Sequence, residues 1–132
     1  MQDILPFDEE TFYHGGIKFY ATAVNCETGQ QEYLDRDTCG DILTAVAASS
    51  SMPFLCRKVT LNGKTYLDGG TGKHLPLGFL SQHPEYDRVL VVLTRRLDYR
   101  KSAPSGPMKR LAKRLYREYP KLVDNILNEA DI

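Results

Sequence analysis

The chain has 132 residues, enough for one domain with a single core, and its 42% apolar and 26% charged content matches an ordinary globular protein. A formal net charge of +0 gives no global attraction to a polyanion, so no specific nucleic-acid partner is expected. The longest strongly apolar run, Val89 to Leu93, is far too short to span a bilayer.

Residues 1 to 16 read as a loop or a frayed helix end, acidic and without the basic and apolar regions of a signal peptide. Residues 17–24, IKFYATAV, carry the β-branched and aromatic residues of a strand. NCETGQ turns the chain and QEYL (31–34) returns as a hairpin partner. Thr38 with Asp41 fits a capping box for the helix that follows, in which Ile42, Ala45, Val46 and Ser49 keep helical spacing. That helix is small and apolar nearly all round, which predicts burial, and Pro53 stops it. KVTLNGKTYL (58–67) is a hairpin turning on Asn62-Gly63, a pair that favours positive φ at both positions. LPLGFLSQHPEY holds a helical turn or two. RVLVVLT (88–94) is continuously apolar, the pattern of a strand covered on both faces. Residues 107–119 form an amphipathic helix with Met108, Leu111, Leu115 and Tyr119 on its apolar face. A second helix restarts after Pro120 with Leu122, Val123, Ile126 and Leu127 inward. The whole reads as a single α/β domain, residues 1–132, with a basic helical tail over about 105–130. From Arg95 to Lys121 there are ten Lys or Arg against two acids, Asp98 and Glu118.

Few residues stand out for chemistry. Cys26, Cys39 and Cys56 are an odd set without metal-like spacing, which fits reduced thiols in a cytoplasmic setting, and buried thiols are usually inert. His14, His74 and His83 share no obvious geometry, and Ser49, Ser50 and Ser51 lie at a helix end where serines commonly cap. No metal motif, Walker loop, dinucleotide fingerprint or G-x-S-x-G elbow is present. Asp68-Gly69-Gly70 has two readings. Asp and Gly are turn residues, so the triplet can be a bend. The hairpin already turns at Asn62-Gly63, however, so Asp68 can instead be a carboxylate held at a strand end, with glycines that leave it unshielded. The basic helix likewise has two readings. It is a solvated surface helix, or it contacts anionic lipid headgroups or nucleic-acid phosphates; it lacks the interleaved aromatics that stack bases.

The order of three stretches is more specific than any one of them: IKFYATAVNCETGQQEYL, ILTAVAASSSMPFLCRKVTLNGKTYLDGG and YDRVLVVLTRRLDYRK. A strand with a Thr-Gly turn is followed by a helix ending in Ala48-Ser49-Ser50-Ser51-Met52-Pro53, then by a hairpin that delivers Asp68-Gly69-Gly70. This order resembles the C-terminal half of a bacterial patatin-like phospholipase, over roughly residues 15 to 130. The resemblance implies part of a three-layer α/β/α fold, with a mainly parallel central sheet including 17–24 and 88–94, a β-hairpin and C-terminal helices. It implies hydrolysis of lipid acyl esters by a Ser-Asp dyad without a metal or other cofactor. Carried over by position, Asp68 is the dyad aspartate, and Gly69 and Gly70 shape its loop. The hairpin is expected to bring Asp68 to the edge of the sheet.

Two departures qualify the likeness. His74-Leu75-Pro76 stands where the family commonly has Asn-x-Pro, so no role passes to His74. The serine elbow and the glycine-rich oxyanion loop are both missing, so the chain is expected to be a fragment, inactive alone, with a surface that favours a homodimer or a partner segment. The alternatives are a non-catalytic relative and a module that docks an anionic surface, lipid or nucleic acid, through its basic helix.

Overall fold

The computed structural model describes residues 7–72, 77–94, 96, 99 and 102–128. Helix α1 (Glu9–His14) is capped by Asp8, whose side chain accepts from the Thr11 amide, and it ends at Gly15. Strands β1 (Tyr20–Asn25) and β2 (Gln31–Asp35) form a hairpin, with Ala21 opposite Leu34 and Ala23 opposite Glu32. Helix α2 (Ile42–Ser49) leads to the hairpin β3 (Val59–Leu61) and β4 (Lys64–Asp68). A 3-10 turn (Gly69–Thr71) and the short α3 (Leu77–Leu80) follow, then α4 (Gly106–Leu115) and α5 (Pro120–Leu127).

The sheet has four strands in the order β2-β1-β4-β3. All of its pairings are antiparallel, so the α/β class holds while the mainly parallel sheet does not appear among the described residues. For two of the pairings the short links explain this: the few residues between β1 and β2, and Asn62-Gly63 between β3 and β4, can close only hairpins, whereas the antiparallel pairing of β1 with β4 spans a long connection and is set by the tertiary fold. The second hairpin is as expected, with Asn62 at φ 51° and Gly63 at φ 76°, the pair of positive φ values whose twist matches the strands. Strand β1 starts later than expected, at Tyr20.

The pleat sends alternate side chains to two cores. On one face Ala21, Ala23, Leu34, Leu61 and Tyr66 pack with Ile42, Ala45 and Ala48 of α2. On the other, Val24, Cys26 and Leu67 pack with Ala112, Tyr116, Leu122, Val123 and Ile126 of α4 and α5. The inward residues of α5 are therefore as the spacing predicts.

Four expectations change. The N-cap of α2 is Asp41, not Thr38; its carboxylate accepts from the Thr44 amide at 3.0 Å and the Thr44 hydroxyl at 2.6 Å. Asp outcompetes Thr here because its side chain lies one residue before the first helical position. Helix α2 is covered only where it meets the sheet, and Leu43 and Val46 are exposed, because one sheet face buries one stripe of a helix. Residues 88–94 form no strand, and Leu90 is 90% exposed; an apolar run signals a demand for cover, not the presence of a neighbour to supply it. Finally, α4 turns Ala112 and Tyr116 inward and leaves Met108, Leu111 and Leu115 exposed. Ala112 and Tyr116 join the core with Val24, Cys26, Leu67 and the inward residues of α5, because the helix meets its neighbours along one side of its wide apolar stripe only.

Candidate active site at the end of strand β4

Strand β4 lies inside the sheet between β1 and β3, so Asp68 does not sit on an edge strand as expected. Its surroundings are nevertheless asymmetric. Toward β1 it is opposite Ala23. Strand β3 pairs only with Lys64 to Tyr66, so it does not reach Asp68. The end of the α2 loop takes that place: the Asp68 amide donates to the Ser51 carbonyl at 2.9 Å. The Ala-Ser-Ser-Ser-Met-Pro stretch and the Asp-Gly-Gly stretch, separate in sequence, are thus joined by a backbone hydrogen bond.

The Asp68 side chain caps the following turn, with Oδ1 accepting from the Gly70 amide at 2.7 Å. Oδ2 takes no hydrogen bond from the described residues. No fully buried side-chain polar atom among them lacks a partner, so this second oxygen is not sealed off from solvent. The carboxylate is half-buried, anchored through one oxygen and available through the other.

Gly69 is where the loop most strictly needs glycine. A Cβ there would lie 2.5 Å from the Thr22 carbonyl oxygen and 2.6 Å from Thr22 Oγ1. The Gly69 carbonyl accepts from Gln31 Nε2 at 3.1 Å and from the Gly72 amide at 3.1 Å, so the turn is tied to β2 as well. Gly69 therefore allows close backbone approach, while the Gly70 amide holds the carboxylate.

The helix-end serines have capping roles. Ser50 Oγ donates to the Val46 carbonyl at 2.8 Å and Ser51 Oγ to the Ala47 carbonyl at 2.7 Å, and no hydrogen bond joins either hydroxyl to Asp68. Cys26 and Cys39 are buried, and burial pushes both thiols up, Cys26 to about 11, so neither is a ready nucleophile. Cys56 is exposed. His14 Nδ1 lies 3.0 Å from the Glu10 carbonyl, and His83 Nδ1 lies 2.8 Å from Glu85 within an aromatic group with Phe79 and Tyr86. His74 lies outside the described residues, as do Arg95 and Asp98. Among the described residues no group of side chains could hold a metal ion, and no helix is long and apolar enough to cross a membrane.

Sequence reasoning missed a polar cluster built on Glu32. Glu32 accepts from Asn25 Nδ2 at 2.9 Å, from the Tyr66 hydroxyl at 2.8 Å and from Lys64 Nζ at 3.0 Å. Burial pushes the Glu32 carboxyl up, but the hydrogen bonds from Asn25, Tyr66 and Lys64, with the charge of Lys64, outweigh it and hold the group below its ordinary value. Burial and the neighbouring carboxylate push the Tyr66 phenol well above its ordinary value. The four members, Glu32 included, come from three strands and share no local pattern, so only the register reveals them.

The domain is of the mixed α/β kind and holds a carboxylate at the end of β4 before a pair of glycines. The patatin-like phospholipase family model matches residues 5–80, and the chain belongs to that family. Membership brings lipid hydrolysis as its general activity. Among curated proteins and among solved structures, none matches the chain significantly.

Proposed function

We propose that Asp68 is the proton acceptor of a Ser-Asp acyl hydrolase whose serine is supplied by residues other than these 132. What supports this most is the way Asp68 is held. Its backbone is fixed by β1 on one side and by the Ser51 carbonyl on the other, Oδ1 is fixed by the Gly70 amide, and Oδ2 stays open. A base restrained in this manner loses little freedom when it engages a hydroxyl. In the first step the serine hydroxyl proton passes to the Asp68 carboxylate as the serine oxygen bonds to the ester carbon. The leaving alcohol recovers that proton as the tetrahedral adduct collapses. Water then repeats the sequence on the acyl-serine, and the carboxylic acid departs. The oxyanion donors, like the serine, lie outside this chain's motifs.

The same contacts favour a second reading, in which Asp68 only caps the turn. Two substitutions separate them. Asp68→Asn keeps an oxygen for the Gly70 amide and removes the base, while Asp68→Ala removes both. The 132-residue chain alone is expected to leave a p-nitrophenyl ester intact. In a polypeptide that joins it to an elbow serine, Asp68→Asn should abolish hydrolysis with little change in melting temperature. Full turnover by Asp68→Asn would leave the capping role alone standing. Hydrolysis by the 132-residue chain that disappears in Asp68→Ala would instead mean that a nucleophile resides here.

A further inference from the structure

Helix α4 divides its apolar residues in an unusual way. Ala112 and Tyr116 face the core, while Met108, Leu111 and Leu115 are 42%, 42% and 52% exposed. Residues at these spacings share one face, so the exposed side chains form one continuous strip along the helix. The remainder of the surface is basic. Lys109, Arg110, Lys113 and Arg114 are exposed on the helix, and Arg117 is exposed just beyond it. The described residues place no ion pair on any of the five. The helix itself contains no acid.

We infer that this face of α4 is an interfacial docking surface for an anionic lipid bilayer. The large apolar side chains enter the headgroup boundary, and the flanking bases meet lipid phosphates. The combination selects this occupant. A nucleic acid would satisfy the bases but would leave the apolar strip in water, since phosphate contacts need no such strip. A protein partner built on the strip alone would leave the bases without counter-charges. The surface is also connected to the Asp68 loop by direct contacts. Tyr116 at the end of α4 accepts from the Phe54 amide at 2.9 Å, and the two rings lie 5.7 Å apart edge to face. Ser51, in the same loop as Phe54, holds the Asp68 amide. Phe54 adopts φ 70°, an uncommon backbone state for a bulky residue, which the Tyr116 contacts help hold. A bilayer bound at α4 thus reaches the carboxylate loop through a short run of ordered contacts. The inference stands on α4 and does not require Asp68 to be a base, because vesicle binding is measured without turnover.

The test is co-sedimentation with vesicles of pure phosphatidylcholine and of phosphatidylcholine mixed with phosphatidylglycerol. The mixed vesicles should retain the protein at least about tenfold better, with the advantage shrinking as salt rises. The double variant Leu111→Ser, Leu115→Ser and the double variant Arg110→Gln, Arg114→Gln should each lose about tenfold or more on mixed vesicles. All four positions are exposed, and unchanged melting curves would establish that the variants are folded. The chain has no tryptophan, so Leu111→Trp is a single reporter. Its emission should shift to the blue on mixed vesicles and be quenched by brominated lipid. Equal binding to neutral vesicles, or an unshifted emission, overturns the inference. So does tight binding to duplex DNA or RNA that survives the leucine variants, which would make the face a phosphate binder. A change in oligomeric state on the leucine substitutions, with vesicle binding intact, would assign the strip to a protein interface and also overturn it.

Discussion

Gly69 and Gly63 occupy turns of similar sequence and need glycine for different reasons. At Gly69 the obstacle is contact, since a Cβ would fall 2.5 Å from the Thr22 carbonyl oxygen. Backbone cannot swing aside as a side-chain tip can, so Gly69→Ala should cost about 1–3 kcal/mol and displace the Asp68 loop. A lower urea midpoint with an unchanged slope would report the loss. Glu32 carries a second residue-level expectation, set by pH. Its carboxyl is held below its ordinary value of 4.5 in the folded protein by Asn25, Tyr66 and Lys64, against the upward push of burial. A lowered folded value means that the charged form stabilises the fold. That contribution is complete above the unfolded value and is lost as pH falls through the folded one. Glu32→Gln should therefore lower stability at neutral pH and lose less on acidification, visible in urea midpoints taken from neutral pH downward. Parallel curves for the two proteins would show that the network carries no net charge energy. The sequence marked Asn25 only as part of a turn, and its partnership with Glu32 needed the strand register.

Elements were legible where a local rule is strong. Asn62-Gly63 predicts a tight hairpin because few residue pairs tolerate positive φ in succession, and both angles are found. Open space surrounds Gly63, with nothing within 4 Å of the place a Cβ would take, so Gly63→Ala tests conformation alone. It should cost about 1–2 kcal/mol, the ordinary penalty of a left-handed residue, without moving Asp68. Nuclear magnetic resonance shifts confined to residues near the turn would accompany the loss; shifts spreading to Gly69 would contradict it. Helices α2 and α4 show where local rules stop. Periodicity names an apolar face, but the amount of that face that is buried depends on what lies opposite. In α2 the sheet covers Ile42, Ala45 and Ala48 and leaves Leu43 and Val46 out. In α4 Ala112 and Tyr116 take the inner positions, and Met108, Leu111 and Leu115 remain outside. The cap of α2 went the same way, with Asp41 displacing Thr38 because its carboxylate reaches the Thr44 amide.

Across the molecule, two cores on opposite sheet faces are closed by α2 and by the α4-α5 pair, yet a large apolar run remains uncovered. Val89, Leu90, Val91, Val92 and Leu93 are exposed, with Leu90 at 90% and Val92 at 80%. A contiguous patch of that kind promotes association. The chain should shift from monomer to larger species as concentration rises in sedimentation velocity, and Leu90→Lys with Val92→Lys should restore the monomer. A concentration-independent monomer would show that the run is tolerated in water. Composition and motif order, properties of the chain written in one dimension, were sufficient for the α/β class, the two hairpins, the inward face of α5 and the family that residues 5–80 match. The antiparallel pairing of β1 with β4, the partner of each apolar face, the union of Ser51 with Asp68 and the Glu32 network all depend on distances between residues far apart in the chain. Local propensity has no access to those distances. Packing chooses among the faces that the local pattern offers, and here it turned Ala112 and Tyr116 of α4 inward and left an apolar strip beside exposed bases in contact with water.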